Sequence, residues 1–250
     1  MTRVSDRPAP PRPTFQQALQ REFAGRDIPP YEVKGPSNGQ PSKGTIIAIH
    51  GGAWVWTGAQ YLRAEDADVE RWRARGWSTV NIDYRGGMDS IPDVIDFYDA
   101  VRASRSPNKP VGTIGSSAGG HLALMIAAKR HPDFTISQGG PTDLNTLPPD
   151  FRANVAFLVG GEANLLRYSP VSYADSISGQ VLVAGAKADP VVPIGQAREM
   201  KRARPDDTTK LELDAGDTPF IHANVDAADY QQFLGEERAM ARAAIRARSN

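Results

Sequence analysis

The stretch of sequence that most constrains the fold is PVGTIGSSAGGHLAL, residues 110–124. An apolar run leads directly into GSSAG, residues 115–119, and an apolar helical pattern follows it. A G-x-S-x-G motif between a strand and a helix is typical of a nucleophile elbow, a turn so tight that the residues two before and two after the nucleophile must lack side-chain bulk. We therefore predict Ser117 as the nucleophile, because Ser116 lacks glycine at both flanking offsets.

Outward from this motif, short apolar runs alternate with helical stretches from Tyr31 to the C-terminus. Several runs are continuously apolar, as expected of strands that are covered on both faces. The alternation predicts an α/β fold, with a mostly parallel sheet and helices on both of its faces. The predicted strands are residues 31–34, 45–50, 78–84, 111–115, 134–138, 181–184 and 210–213. The predicted helices lie near residues 62–75, 91–104, 118–130, 194–203 and 224–246.

The predicted domain organisation is one domain over residues 14–250, since a chain of this length is sufficient for a single large core. Residues 1–13 contain four prolines and three arginines, which predicts an extended or disordered leader. Thr14 and Gln17 have the spacing of a capping box for the helix that follows. Residues 145–179 form the longest excursion between predicted strands, and their aromatic and apolar content predicts a small cap.

Composition and charge exclude several function classes. The 29 basic and 29 acidic side chains balance, so no global charge favours nucleic acid or an anionic membrane as a partner. The absence of cysteine excludes disulfides, thiolate catalysis and cysteine-based metal sites. No apolar run approaches the roughly 20 residues that a membrane span requires. The sequence leaves localisation open: as written it fits a cytoplasmic protein, and it fits a secreted one if a signal peptide has been removed.

A second glycine motif, His50-Gly51-Gly52-Ala53-Trp54, follows the strand predicted at residues 45–50. Glycines at a strand end allow the backbone to turn its N–H groups toward a ligand. The N–H groups of Gly52 and Ala53, with that of Ala118 after the nucleophile, are therefore predicted to form an oxyanion hole. A simple tight turn is the alternative, although the adjacent elbow makes it less favoured.

Residues 50–54, the Asp83-Tyr84-Arg85 segment and residues 115–124 together resemble the α/β-hydrolase superfamily, and more narrowly its hormone-sensitive-lipase-like and related HGG-type carboxylesterases. The resemblance extends from about Tyr31 to the C-terminal helix. It implies an eight-stranded sheet, a carboxylic ester or related small-molecule acyl substrate, and no cofactor or metal. Two positions depart from the family pattern: Ala53 replaces the third glycine of HGGG, and Ser116 replaces an often acidic residue.

His222 is the predicted base, because the other histidines belong to the oxyanion loop or to helices, and because the resemblance places the catalytic histidine in the loop before the last helix. Asp189 is the predicted acid, since the sequence around it resembles the family's acid loop. The order Ser117, Asp189, His222 is the one this fold uses. Asp214 and Asp217 are rival acids that lie close to His222 in sequence.

These residues predict a serine hydrolase that cleaves a carboxylic ester through an acyl-enzyme intermediate. Three alternatives remain: an amide or formamide hydrolase with the same triad, a non-catalytic binding protein on the same fold, and a structural or interaction role for the proline-rich leader, residues 1–13. Trp54 and Trp56 are predicted either to line the substrate pocket or to anchor the oxyanion loop. The substrate, the acyl length and the oligomeric state do not follow from the sequence.

Overall fold

A mostly parallel sheet forms the centre of the computed structural model, which describes residues 13–249. Its strands lie in the order β1-β3-β2-β4-β5-β6-β7, and only β1 is antiparallel to its neighbour. These are β1 (Tyr31–Lys34), β2 (Thr45–Ile49), β3 (Ser78–Ile82), β4 (Val111–Ser116), β5 (Phe134–Gln138), β6 (Gln180–Ala186) and β7 (Thr208–Leu213). All seven strands predicted from the sequence are therefore present.

The expected eighth strand is wrong for residues 13–249, which contribute seven strands to this sheet. The chain before Tyr31 contains helix α1 (Phe15–Glu22) in place of an edge strand. Thr14 and Gln17 form the predicted capping box at its start. Leu19 is fully buried and packs into the same apolar cluster as residues of the sheet. Helical periodicity and a helix cap thus direct this segment onto the face of the sheet rather than onto its edge.

Six further helices surround the sheet and form a layer on each face. They are α2 (Asp66–Ala74), α3 (Ser90–Ala103), α4 (Ala118–Lys129), α5 (Pro149–Leu158), α6 (Gly195–Ala203) and α7 (Ala227–Ser249). Alternate residues of β2 point into these two layers. Ile47 and Ile49 pack in an apolar cluster with residues of α1, α3 and α4. Ile46 and Ala48 pack in a second cluster, with residues of α2 and α7. Burial of both faces explains why β2 to β5 are continuously buried.

Two segments extend beyond the central layers. Residues 145–179 fold into α5 and a series of short 3-10 turns, including Leu166–Tyr168 and Pro170–Ser176. After β7, a hairpin of two short strands, β8 (Ala215–Pro219) and β9 (Asn224–Val225), precedes α7. The sequence predicted a plain loop here and a helix from residue 224, so the hairpin is a correction. None of the helices within residues 13–249 combines the length and apolarity that crossing a bilayer demands.

Candidate active site

Ser117 lies at the bend between β4 and α4, with φ 52° and ψ −121°, a conformation that L-residues rarely adopt. At this bend the backbone of α4 packs directly against β2 and β4, which leaves no room for a side chain at two positions. A Cβ atom on Gly119 would overlap the carbonyl oxygen of Ile49 in β2, and one on Gly115 would overlap the carbonyl of Gly119. The glycines at both offsets from Ser117 are therefore required by the contact of the helix with two strands.

His222 lies between Ser117 and Asp189. Its Nε2 is 2.9 Å from Ser117 Oγ, and its Nδ1 is 2.9 Å from Asp189 Oδ2. With the proton on Nδ1 donated to the carboxylate, Nε2 is free to accept the proton of the hydroxyl group. These two contacts join residues that are 105 and 33 positions apart in the chain.

The hairpin β8–β9 carries His222 at its tip. Phe220 N–H donates to the carbonyl of Ala223 at 3.2 Å, which closes the tip around the histidine. His222 has φ 60°, so its backbone is left-handed there. The Phe220 ring packs on Phe233 of α7 at 5.7 Å between centroids. The hairpin is thus attached to the last helix, and this attachment fixes the imidazole at the edge of the sheet.

The rival acids lie elsewhere. Asp214 forms an ion pair with Lys187 at 2.7 Å, and Asp217 is an exposed residue of β8. The remaining histidines have other partners: His131 contacts Ser178 Oγ at 2.7 Å, and His50 contacts Asp83 at 3.0 Å. Neither rival acid has a hydrogen bond to His222 in the part of the chain that the structure describes.

The predicted oxyanion loop, residues 50–56, follows β2 and passes beside Ser117. A Cβ atom on Gly51 would lie 3.1 Å from the Cβ of Ser117, so the loop backbone closely approaches the serine. Gly52 has φ 128° and Ala53 has φ 50°. Within residues 13–249, the backbone N–H groups of Gly52, Ala53 and Ala118 donate to no protein acceptor. Two such groups in the loop and one directly after Ser117 are therefore available to a ligand.

A buried polar cluster supports the base of this loop. His50 is fully buried between Asp83 and Tyr84; its ring stacks on the Tyr84 ring at 4.5 Å. The Tyr84 hydroxyl donates to the carbonyls of His50 at 3.0 Å and Gly51 at 3.2 Å. Asp83 also accepts the backbone N–H of Gly58 at 2.8 Å. The Asp83-Tyr84 segment thus holds the start of the loop and the residue two positions past its end.

The two tryptophans of the loop occupy different environments. Trp54 is 1% exposed, and its indole N–H donates to His121 Nδ1 at 3.2 Å. This burial favours the anchoring interpretation of Trp54 over a place in the pocket wall. Trp56 is 61% exposed and is available to a substrate, so its place in a binding pocket stays a prediction.

No pattern in the sequence indicated a buried acid next to the residue that precedes Ser117. Glu65 lies in the 3-10 helix Ala59–Glu65, and its carboxyl contacts the hydroxyl of Ser116. Burial, with the nearby charge of Asp68, raises the pKa of Glu65 to about 8. Ser116, directly before Ser117, is thus paired with a carboxyl group from another element.

Solved structures of known proteins share this architecture. A truncated carbohydrate esterase from gut microbiota is 18% identical with a TM-score of 0.70, covering 84% of this chain and 90% of its own. Esterase B from Lactobacillus rhamnosis with a tributyrin phosphonate inhibitor is 15% identical, TM-score 0.66, covering 93% of each chain. A puromycin-hydrolyzing peptidase from Mycobacterium tuberculosis is 19% identical, TM-score 0.69, covering 86% of this chain and 37% of the peptidase.

These likenesses establish the fold as that of the α/β-hydrolases. A comparison of the sequence with curated proteins found no match. The sequence does match the family model described as BD-FAE over residues 32–203, more than half of the chain, and this span includes the elbow and the oxyanion loop. The chain therefore belongs to the BD-FAE family, an α/β-hydrolase-type family.

Proposed function

We propose that this protein is a hydrolase that cleaves carboxylic esters, with Ser117 as nucleophile, His222 as base and Asp189 as the residue that orients the base. The observation that carries the proposal is the position of the His222 imidazole, 2.9 Å from the hydroxyl and 2.9 Å from the carboxylate. A nucleophile, a base and an orienting acid within hydrogen-bond reach of one another are the arrangement required for acyl transfer.

In the first half of the reaction, His222 Nε2 takes the proton of Ser117 as its Oγ bonds to the acyl carbon. The carbonyl oxygen becomes an oxyanion, and Asp189 stabilises the imidazolium through the Nδ1–H. The tetrahedral intermediate then collapses: the bond to the alkoxy oxygen breaks, and His222 gives its proton to the departing alcohol. The acyl group remains on Ser117 as an ester.

Water completes the cycle. His222 takes a proton from water as its oxygen attacks the acyl carbon, and a second tetrahedral intermediate forms. When the bond to Ser117 Oγ breaks, His222 returns the proton to that oxygen. The carboxylic acid leaves and the free enzyme is regenerated. The net reaction is the hydrolysis of one ester by one water molecule.

The backbone N–H groups of Gly52, Ala53 and Ala118 form the proposed oxyanion hole. Their lack of protein acceptors and the close approach of the loop to Ser117 support this role. Ala118 is also the first residue of α4, where the helix dipole adds positive potential. Each such donor contributes on the order of 3 kcal/mol to transition-state stabilisation.

Membership of the BD-FAE family and the esterase names of this chain's structural neighbours support a carboxylic ester as the substrate class. The peptidase neighbour supports one second candidate, hydrolysis of an amide by the same residues. An amide differs in its poorer leaving group, which the protonated His222 would have to activate. Assays with p-nitrophenyl esters and with matched anilides or N-formyl amines separate the two.

The decisive experiment compares Ser117→Ala with Ser116→Ala on p-nitrophenyl acetate and butyrate. We expect Ser117→Ala to lower kcat by at least about 10⁴-fold, because Ser117 supplies the hydroxyl group that contacts His222 Nε2 and no other hydroxyl among residues 13–249 does so. Ser116→Ala should retain most of the activity, since that hydroxyl is directed to Glu65. Undiminished turnover by Ser117→Ala would refute the mechanism. A fluorophosphonate that fails to label Ser117 would favour a non-catalytic binding protein.

A further inference from the structure

We infer that His121 is a positioning residue for the reaction: through the indole of Trp54 it keeps the oxyanion loop in its working conformation and joins that loop to the residues of the 145–179 segment. This inference rests on the proposed function, in which the Ala53 N–H next to Trp54 stabilises the oxyanion. Nothing in the G-x-S-x-G motif itself requires a histidine at position 121, four residues after the nucleophile.

A continuous chain of hydrogen bonds carries the inference. Trp54 Nε1–H donates to His121 Nδ1 at 3.2 Å, and His121 Nε2–H donates to the carbonyl of Tyr168 at 2.7 Å. Trp54 is 1% exposed and His121 is fully buried, so water does not compete for either bond. One imidazole thus connects the oxyanion loop, the nucleophile helix α4 and the turn Leu166–Tyr168.

The backbone of the loop needs such a restraint. Ala53 and Trp54 have φ 50° and φ 61°, two consecutive left-handed residues without a glycine. Strained conformations of this kind persist only where the surroundings fix them. Trp54 is fixed at two points, since its carbonyl accepts the N–H of Gly87 at 2.7 Å and its side chain donates to His121. The peptide that carries the Ala53 N–H is itself held through the Gly52 carbonyl, which accepts the N–H groups of Val55 at 3.0 Å and Trp56 at 2.9 Å. Loss of the second point therefore shifts this turn as a unit and displaces the Ala53 N–H with it.

The protonation state of the imidazole fits this role. Burial lowers the pKa of His121 to about 4, so the ring is neutral under ordinary conditions. A neutral ring accepts at one nitrogen and donates at the other, as the two observed bonds require. His121 has no hydrogen bond to Ser117 or His222 side chains in the region that the structure describes, and therefore acts through Trp54.

The competing explanation is that His121 only fills space beside Trp54. The Trp54 ring also meets the His121 ring edge-on, with 5.1 Å between their centroids, and stacks on the Phe151 ring, with 6.2 Å between centroids. The test therefore separates hydrogen bonding from volume. His121→Leu removes both bonds, whereas His121→Gln retains a side-chain acceptor and a donor. Trp54→Phe retains an aromatic ring against Phe151 but removes the indole donor together with part of the ring volume, so the comparison of His121→Gln with His121→Leu separates the two effects. His131→Leu, the same exchange just beyond the far end of α4, is the matched control.

We expect His121→Leu and Trp54→Phe to lower kcat for p-nitrophenyl butyrate by about 10- to 100-fold, with KM changed by less than about threefold, because a misplaced donor weakens binding of the transition state only. His121→Gln should recover most of kcat, and His131→Leu should match the wild type. The positioning role is refuted if His121→Leu and Trp54→Phe fold and keep kcat within about twofold of the wild type, or if both change KM alone. Either result leaves the proposed ester hydrolase unaffected.

A readout without turnover keeps the inference testable by itself. In ¹H–¹⁵N spectra of the full chain, the Trp54 indole proton should be protected from exchange in the wild type and in His121→Gln, and should exchange at least tenfold faster in His121→Leu. If His121→Leu does not fold, Trp54→Phe and His121→Gln give the answer. A wild type that turns over no ester but shows the protected proton contradicts the proposed function alone. An unprotected Trp54 proton in the wild type refutes the positioning role.

Discussion

The two carboxylate oxygens of Asp189 are divided between His222 and its own loop. Oδ2 lies 2.9 Å from His222 Nδ1, while Oδ1 accepts the backbone N–H groups of Val191 at 2.8 Å and Val192 at 2.9 Å. The Asp189 side chain is fully buried. The turn Asp-Pro-Val-Val therefore fixes the carboxylate before it meets the imidazole, and this favours Asp189 over a mobile surface acid as the orienting group.

Asp189→Asn is expected to lower kcat by about 10³- to 10⁴-fold with little change in KM. The amide offers no charge to stabilise the imidazolium, and an amide NH₂ toward Nδ1 favours the wrong tautomer. Steady-state kinetics on p-nitrophenyl butyrate measure this effect. Asp217→Asn is the control, since that exposed side chain of β8 forms no hydrogen bond with His222 in the structure of residues 13–249. Equal losses in the two variants would contradict the assignment of the acid.

A second prediction concerns Glu65 and the pH dependence of stability. Its pKa is about 8 in the folded protein, against 4.5 as the ordinary value, with desolvation as the largest cause and the charge of Asp68 as the next. Between pH 4.5 and 8 the unfolded chain therefore binds fewer protons at this site than the folded chain. The free energy of unfolding then falls as pH rises through this window, by at most about 1.4 kcal/mol per pH unit from this group.

Glu65→Gln removes this titration and retains a side-chain partner for Ser116. We expect urea unfolding to show the wild type losing stability relative to Glu65→Gln as pH rises from about 5 to 8. Glu70→Gln is the control, because Glu70 lies on the exposed side of α2 and pairs with Arg73. Parallel pH profiles for the wild type and Glu65→Gln would show that the buried carboxyl does not titrate as described.

Strand positions were predictable from the sequence because they depend on local composition. Continuous apolar runs such as residues 45–50 have one stable environment, a sheet covered on both faces. The turn at Ser117 was also predictable from the sequence, because it sterically requires glycine at positions 115 and 119. The eighth strand was wrong because it came from the resemblance: the residues before Tyr31 have helical periodicity and a cap.

Other features depend on contacts between distant residues. The β8 strand has the sequence AGDTP, whose glycine, aspartate and proline all disfavour strands, so only its pairing with β9 reveals it. The Glu65–Ser116 contact joins residues 51 positions apart through a 3-10 helix. The bond from Trp54 to His121 likewise spans 67 positions and a left-handed turn. No periodicity in the sequence encodes such juxtapositions.

Gly119→Ala tests the steric basis of the elbow. The added Cβ would overlap the Ile49 carbonyl oxygen and would lie 2.5 Å from the carbonyl oxygen of His50, both of them backbone atoms that cannot rotate away. We expect a loss of about 3 kcal/mol or more in the free energy of unfolding, or no folded protein. Gly35→Ala is the matched control, because no atom lies within 4 Å of its Cβ position. A stable, active Gly119→Ala would show that α4 can move away from β2.

The last prediction concerns a buried ion cluster between α2 and α7. Glu237 is fully buried and accepts from Arg71 Nε at 3.1 Å and Nη2 at 3.0 Å, and from Arg75 at 2.7 Å. Removal of one partner of a buried pair leaves the remaining charge poorly compensated. We therefore expect Glu237→Gln to lower the free energy of unfolding by about 3 kcal/mol, measured as a shift in the urea midpoint at constant slope.

The adjacent Glu236→Gln is the control for that variant, since Glu236 has the same chemistry and helix position but forms no ion pair among residues 13–249. It should change stability by less than about 0.5 kcal/mol. The effect of Glu237→Gln should also survive at high salt, because the pair is shielded from counterions. If Glu237→Gln unfolds at the wild-type urea midpoint, the attachment of α7 to α2 depends on apolar packing alone, and the ion cluster contributes nothing to holding the last helix.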